Sequence, residues 1–307
     1  MKISTTLFFD RSTQQLGNVQ ASLSKTQEQL STGLQIVKPS DAPDKAALVT
    51  RLESELSRQT GYQNTLKAVN VRLTSEETAL KNTSDVLYRI KELAVQAAND
   101  TLGPQDRQSV ALELSTLRDQ VLSLANSQDS NGNYLFSGSK ASQPAFSQDA
   151  KGHVSYQGDQ ARMKVNVGDN RRLNLNMPGS DAFVRVVRDD GKGNKSAVDF
   201  FQSLDDLVAA VKSSDHVAIQ RGVAEVDGLQ NGISEGLGQI GADLNVIDMQ
   251  NNVLDQVILR LKTTRSDVED LDYTTAITKM NKDQLALEAA QSSFAKISQL
   301  SLFKYMN

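Results

Sequence analysis

Hydrophobic positions recur every seven residues through the last third of the chain: Ile233, Ile240, Ile247, Leu254, Leu261 and Val268 form an unbroken row. A second row, Leu237, Leu244, Asn251, Ile258 and Arg265, lies four residues after each of the first five. This a/d heptad pattern predicts one long helix winding around partner helices. At 1.5 Å per residue the strict repeat alone spans about 54 Å, longer than an ordinary small domain, and predicts a rod. Asn251 and Arg265 interrupt the second row, and polar groups at such positions fix register at a cost in stability. The helix is expected to begin near His216 and end around Asp270.

Other stretches carry the same signal. Leu16, Val19, Leu23, Thr26 and Leu30 alternate steps of three and four, an amphipathic helix closing near Gly33. Pro39 and Pro43 then break the pattern, with Ser40 or Asp41 available to cap the next helix. From Asp44 a helical pattern through Leu48, Leu52, Leu56, Leu66, Leu73, Leu80, Leu87 and Ile90 runs to about Asn99. Gly61 weakens it by roughly 1 kcal/mol relative to Ala. Gly103-Pro104 is a stop and restart, and Val110, Leu114, Leu117, Val121 and Leu124 give a further helix.

The character changes at Ser127, where Ser127–Asn133 is turn chemistry. Short stretches with β character follow: Tyr134–Phe136, His153–Gln157, Met163–Val167, Leu173–Met177 and Phe183–Arg188, with Asp189–Asn194 as a hairpin turn. Val198–Ser213 is a short amphipathic helix. Asp272–Asn307 is again amphipathic, through Tyr273, Ala276, Met280, Leu287, Ala290, Phe294 and Ile297.

The expected fold is therefore mainly α. A long coiled-coil-like helical bundle is formed by the N- and C-terminal segments, with a small β-rich domain inserted. The expected division is 1–43 with 271–307 as terminal coiled-coil segments, 44–133 with 198–270 as a helical core, and 134–197 as the insert. Neither terminal helix buries its stripe alone, so the two pair with each other or with neighbouring molecules.

Composition narrows the function. Hydrophobic residues make up 38% and aromatics only 5% of the 307 residues, with no Trp, which suits narrow bundles better than a wide core. A net charge of −4 offers no basic face for nucleic acid. The absence of Cys excludes disulfides and thiolate metal sites. Met1–Asp10 does not resemble a signal peptide, lacking an uninterrupted apolar run and a small-residue cleavage site, and no window approaches 18 apolar residues. The expectation is a cytoplasmic protein or one exported without a cleaved signal.

Apparent catalytic motifs fail on context. Gly236-Leu237-Gly238-Gln239-Ile240-Gly241 spells G-x-G-x-x-G, but a dinucleotide site needs it between a strand and a helix start, not inside a heptad run. Gly228, Gly232 and Gly236 instead fall on one helix face, where another backbone approaches closely or the helix is softened. Asp129–Asn133 resembles a calcium loop only faintly, with Tyr134 where Gly is needed and Lys140 where Glu is needed. His153 and His216 make no ligand spacing. Acidic pairs such as Glu76-Glu77 read as solvated faces. No enzyme, cofactor or metal is expected.

Two terminal signatures carry more. Leu30-Ser31-Thr32-Gly33-Leu34-Gln35-Ile36, followed by Pro39-Ser40-Asp41-Ala42-Pro43, resembles the N-terminal signature of the bacterial flagellin family. Ala286–Ser298 followed by Leu300-Ser301-Leu302-Phe303 is similar to its C-terminal signature. Met1–Thr5, Asn131–Gly138 and Pro144-Ala145-Phe146 resemble the members of that family at the junction of hook and filament. The resemblance implies a structural protein secreted to the extracellular flagellum by type III export. The partners it implies are hook-associated protein 1, flagellin, further copies of the chain in a ring, and a cytoplasmic export chaperone on the C-terminal helix. It implies no nucleic acid and no membrane insertion. Leu16, Val19, Leu23 and Leu30, with Met280, Leu287, Phe294, Leu302 and Phe303, become the expected assembly interface. The alternative for the same residues is an intramolecular core. The alternatives for the whole chain are flagellin itself, or a coiled-coil scaffold or adhesin unrelated to flagella.

Overall fold

The chain's structure, a computed structural model, describes the backbone of residues 2–99, 102–189 and 195–303, and their side chains outside 2–6, 8 and 297–303. Helix α1 (Lys2–Thr32) begins well before the three-four spacing does, since no Pro or Gly interrupts residues 2–16. It ends at Gly33, whose φ of +73° is the left-handed conformation that closes helices. A single 3-10 turn at Pro39–Asp41 leads to α2 (Pro43–Ala97), which opens on a proline whose missing N–H no helical bond needs. Helix α3 (Pro104–Ala125) starts the same way behind Gly103. Its Arg107 reaches back to the end of α2, donating to the Ala97 carbonyl at 3.2 Å, and also to that of Leu102 in the connection at 3.3 Å. A cation thus takes up carbonyls that a helix end leaves unpaired.

Three antiparallel hairpins follow: β1 (Phe146–Gln148) with β2 (Val154–Tyr156), β3 (Lys164–Asn166) with β4 (Arg172–Asn174), and β5 (Val186–Asp189) with β6 (Lys195–Val198). Strands β1 and β6 fall outside the stretches read as β: no polar–apolar alternation runs on past their ends, as it does around the equally short β2 and β3. Tyr134–Phe136 is not the strand its composition suggests. Only Tyr134 forms a bridge, to Gln128. The Phe136 carbonyl is already taken by the Gly179 amide at 2.8 Å and the Tyr156 hydroxyl at 3.0 Å. The turn assigned to 189–194 lies, beyond Asp189, outside the described residues. A single turn of helix, α4 (Gly179–Ala182), precedes β5. Helices α5 (Phe200–Ser213), α6 (His216–Glu269) and α7 (Tyr273–Phe303) complete the chain, with α6 matching the long helix that the heptads predict.

These elements form two compact units, one of residues 1–59 and 256–307, the other of 60–255; α2 and α6 contribute to both. In the second unit Ile233, Ile240, Ile247 and Leu254 of the first heptad row are buried, against Leu66, Leu73, Leu80 and Leu87 in one apolar cluster. The cluster continues into an aromatic nest. Phe136, Phe146, Phe183, Phe200 and Phe201 are five of the chain's nine phenylalanines. Their rings meet edge-on at 5.4 Å (Phe136–Phe183) and 5.2 Å (Phe146–Phe201, Phe183–Phe200). Such geometry adds to the area buried.

The glycine face of α6 is a close-packing surface. A Cβ on Gly232 would overlap Val184, one on Gly236 would stand 3.3 Å from Ala182 and Leu80, and one on Gly228 3.1 Å from Val186. The segment from α4 to β5 therefore lies directly on the helix backbone. Arg188 locks it there, with both its Nε and Nη2 on the Glu225 carboxylate at 2.6 and 2.8 Å and its Nη1 on Asp206 at 2.6 Å.

Gly138 shows why the Phe136-Ser137-Gly138 turn needs glycine. Its φ is +70°, and a Cβ would overlap the carboxylate and carbonyl of Asp159. Asp159 cannot step aside, because the amides of Ser139 and Ala161 hold it at 2.8 and 3.0 Å. Gly138→Ala is expected to cost about 2 kcal/mol or more, the left-handed penalty of an L residue plus the displaced carboxylate. A urea midpoint equal to wild type would show that the turn rearranges freely.

Candidate assembly interface

Within the first unit, α1 and α7 run antiparallel side by side. Phe9 meets Phe294 edge-on, with ring centroids 5.4 Å apart. Further along, Ser22 donates to Asp283 at 2.8 Å, and Lys279 reaches Ser22 at 2.7 Å and Thr26 at 3.0 Å. At the end Gly33 lies against the Tyr273 ring. The pair is closed by a short backbone bridge: the Gln35 amide donates to Glu269 at 2.7 Å and the Leu271 amide to Gly33 at 2.9 Å. Asp272 then caps α7, accepting from the amides of Thr274 and Thr275 at 2.9 and 3.3 Å.

The seam has the spacing that the sequence predicts. On α1, Leu16, Val19, Leu23 and Leu30 are half-buried around a fully buried Thr26. On α7, Met280, Leu287 and Phe294 are half-buried, in step with buried Ala276. None of these seven hydrophobic residues is exposed and none is fully covered. Two helices alone leave each apolar stripe open along its flanks, because a stripe of this kind is about 100° wide or more. The side chains of Leu302 and Phe303 lie outside the described residues.

Sequence spacing missed two features. The first is the polar rung of Ser22, Thr26, Lys279 and Asp283, which fixes the register of the pair. The Ser22 hydroxyl holds the Asp283 carboxyl below the usual carboxylate range. Thr26 falls in the α1 stripe, but no periodicity distinguishes Ser22, Lys279 and Asp283 from a solvated face, since the pairing of Ser22 with Asp283, 261 positions apart, is invisible to a local pattern. The second is that α7 is apolar beyond its seam. Tyr273 and Ile277 lie beside the seam, 53% and 46% exposed, and Leu285 lies on the far side, 68% exposed. Tyr273 thus flanks the seam instead of filling it, with its hydroxyl end against Gly33.

The loop of Asp129 offers no cation site. Its carboxylate accepts from the amides of Asn131 and Asn133 at 2.8 and 3.0 Å and from Arg72 at 3.2 Å, which makes it the anchor of a turn. Among the described residues no group of three or more His, Asp or Glu is placed to hold a metal, and no helix is long and apolar enough to cross a membrane. Of the two acids read as a solvated pair, Glu77 is half-buried, paired with Lys81 at 2.7 Å. Glu76 is wholly buried, because its position on α2, three residues after Leu73 and four before Leu80, falls on the helix face that joins the apolar cluster.

Comparison with known proteins agrees with this architecture. Residues 3–141 match the bacterial flagellin N-terminal helical region and residues 223–306 the bacterial flagellin C-terminal helical region. The chain is similar to flagellar hook-associated protein 3 of Salmonella typhimurium, 28% identical over 99% of both chains, and to that of Escherichia coli, 29% identical over 99% of both. It shares its fold with the crystal structure of flagellar hook-associated protein 3 from Legionella pneumophila, at a TM-score of 0.63 over 72% of this chain and 98% of that one, with 18% identity. With both terminal regions matched and their helices paired in one seam, the chain belongs to the flagellin family.

Proposed function

We propose that the chain is a structural subunit of the bacterial flagellum that joins hook-associated protein 1 to the flagellin filament. The relatives it matches along their whole length are structural flagellar proteins carrying the hook-associated name. The observation that supports the reading in this chain is α7, which stays apolar at Tyr273, Ile277 and Leu285 after pairing with α1. A helix apolar on several sides is made to be surrounded. Copies repeating around an axis supply that surrounding through heterologous contacts.

In this reading residues 1–43 and 271–307 form the inner layer, 44–133 and 198–270 the helical body, and 134–197 the outward insert. Leu16, Val19, Leu23, Leu30, Met280, Leu287, Phe294, Leu302 and Phe303 contribute to the inner contact between copies. The subunit leaves the cell by type III export, with a cytoplasmic chaperone covering its C-terminal helix beforehand. Its role is mechanical, not catalytic.

Deleting the gene is expected to leave cells with hooks and no filaments, and to release intact flagellin into the medium. Loss of flagellin from both cells and medium would identify the chain as the filament subunit. Normal swimming would overturn the flagellar reading altogether.

A further inference from the structure

We propose that Glu76 is held as the neutral acid in the folded protein and forms a proton-linked latch, whose ionisation loosens the join between α2, Met177 and the 129–135 turn. The side chain is 0% exposed. Its Oε2 accepts from the Met177 amide at 3.2 Å. Its Oε1 stands 3.4 Å from Arg72 Nε, and neither atom has a hydrogen-bond partner. A charge-assisted pair between guanidinium and carboxylate closes to about 2.7–2.9 Å, so this pair is not drawn together as two opposite charges would be.

Arg72 is committed elsewhere. Its Nη1 donates to Asp129 at 3.2 Å, and its Nη2 to the carbonyls of Tyr134 and Leu135 at 3.2 and 3.0 Å. Asp129 is the better claimant for its charge, because it is nearer solvent and also accepts from the amides of Asn131 and Asn133. One cation therefore faces two carboxyls, and the wholly buried one is met only by Nε at 3.4 Å, without a hydrogen bond. From α6, Asp243 adds negative potential at Glu76. Arg162 and Asp181, which line a small depression with Asp243, Leu73 and Met177, are paired with each other at 2.8 Å. A wholly buried carboxylate that shares its cation with another carboxylate is relieved by taking up a proton.

Burial pushes the Glu76 carboxyl up to about 8 from an ordinary value of 4.5, against the pull of Arg72 and of the Met177 amide. The folded state then holds a proton that the unfolded chain releases. The stabilising contribution is full below the unfolded value and is lost as pH rises through the folded one. Stability should fall across this window.

The test is urea unfolding of the full chain from pH 5 to 9, for wild type, Glu76→Gln and Asp129→Asn. Glutamine keeps an acceptor for the Met177 amide and cannot ionise. Within the window, the folding constant of wild type relative to Glu76→Gln should drop by about tenfold per pH unit. In Asp129→Asn the freed Arg72 should pull Glu76 towards ionisation, so the drop ends at lower pH. If Glu76→Gln does not fold, the infrared carbonyl band of a protonated carboxyl serves instead. It should be present in wild type at pH 6, vanish above pH 9, and vanish earlier in Asp129→Asn. Parallel pH profiles for wild type and Glu76→Gln would overturn the proposal. So would a wild type that gains on the glutamine variant as pH rises, or the absence of the band.

Discussion

Replacing Leu287 and Phe294 together by Asp should abolish flagellar assembly while leaving the unit of residues 60–255 folded. Both side chains are half-buried in the α1–α7 seam, and Phe294 caps it against Phe9. Each loses apolar burial worth about 1.5–3 kcal/mol when complete, here roughly half of that. Each also places a carboxylate beside an apolar stripe with no cation committed to it. The rung of Ser22, Thr26, Lys279 and Asp283 cannot compensate, since exposed ion pairs contribute about 0–1 kcal/mol. Hydrogen exchange should show α1 and α7 losing protection together, with the buried amides around Ile233 and Leu80 unchanged. Swimming should cease. The single change Leu285→Asp separates the two roles of α7. Leu285 is exposed in the isolated chain, so protection of the seam should persist while assembly fails. Normal motility in both variants would remove α7 from the interface between copies.

What the sequence shows and what it hides follow from the range of the interactions. The long helices are legible because their apolar period is sustained: α6 runs from His216 to Glu269, close to the limits the pattern sets. Breaks at Gly33, Pro39–Pro43 and Gly103-Pro104 are legible because backbone chemistry there is local. The seam residues are legible as stripes, and their pairing only as one of two options, because a stripe records that it needs a partner and not which one. The hairpins are only partly legible: alternation running past the ends of β2 and β3 marks them, while β1 and β6 have none. The aromatic nest is not legible at all. Phe136, Phe146, Phe183 and Phe200 lie on four separate segments, and nothing local draws them together. Glu76 is hidden for the same reason: Glu76-Glu77 looks like one solvated pair, yet in the fold one member is wholly buried and the other half-buried.

Gly232, Gly238 and Gly241 of α6 should divide by sign on substitution, which distinguishes packing from helix propensity. Gly232→Val should be severely destabilising. Even a Cβ there overlaps Val184 and stands 3.4 Å from the Ala182 carbonyl, so the extra methyls must displace backbone. Overpacking of this kind costs typically 1–3 kcal/mol and occasionally more. About 3 kcal/mol is expected, since Val184 is held between α4 and a β5 strand that Arg188 ties to Glu225. Gly238→Ala and Gly241→Ala should do the opposite. A Cβ at either position meets nothing within 4 Å, so only the helix propensity changes, by up to about 1 kcal/mol in favour of alanine. Urea midpoints of the three variants check both halves at once. A tolerated valine at 232 would mean that the segment from Ala182 to Val186 does not rest on α6. A loss of stability at 238 would mean that this face is covered within the chain.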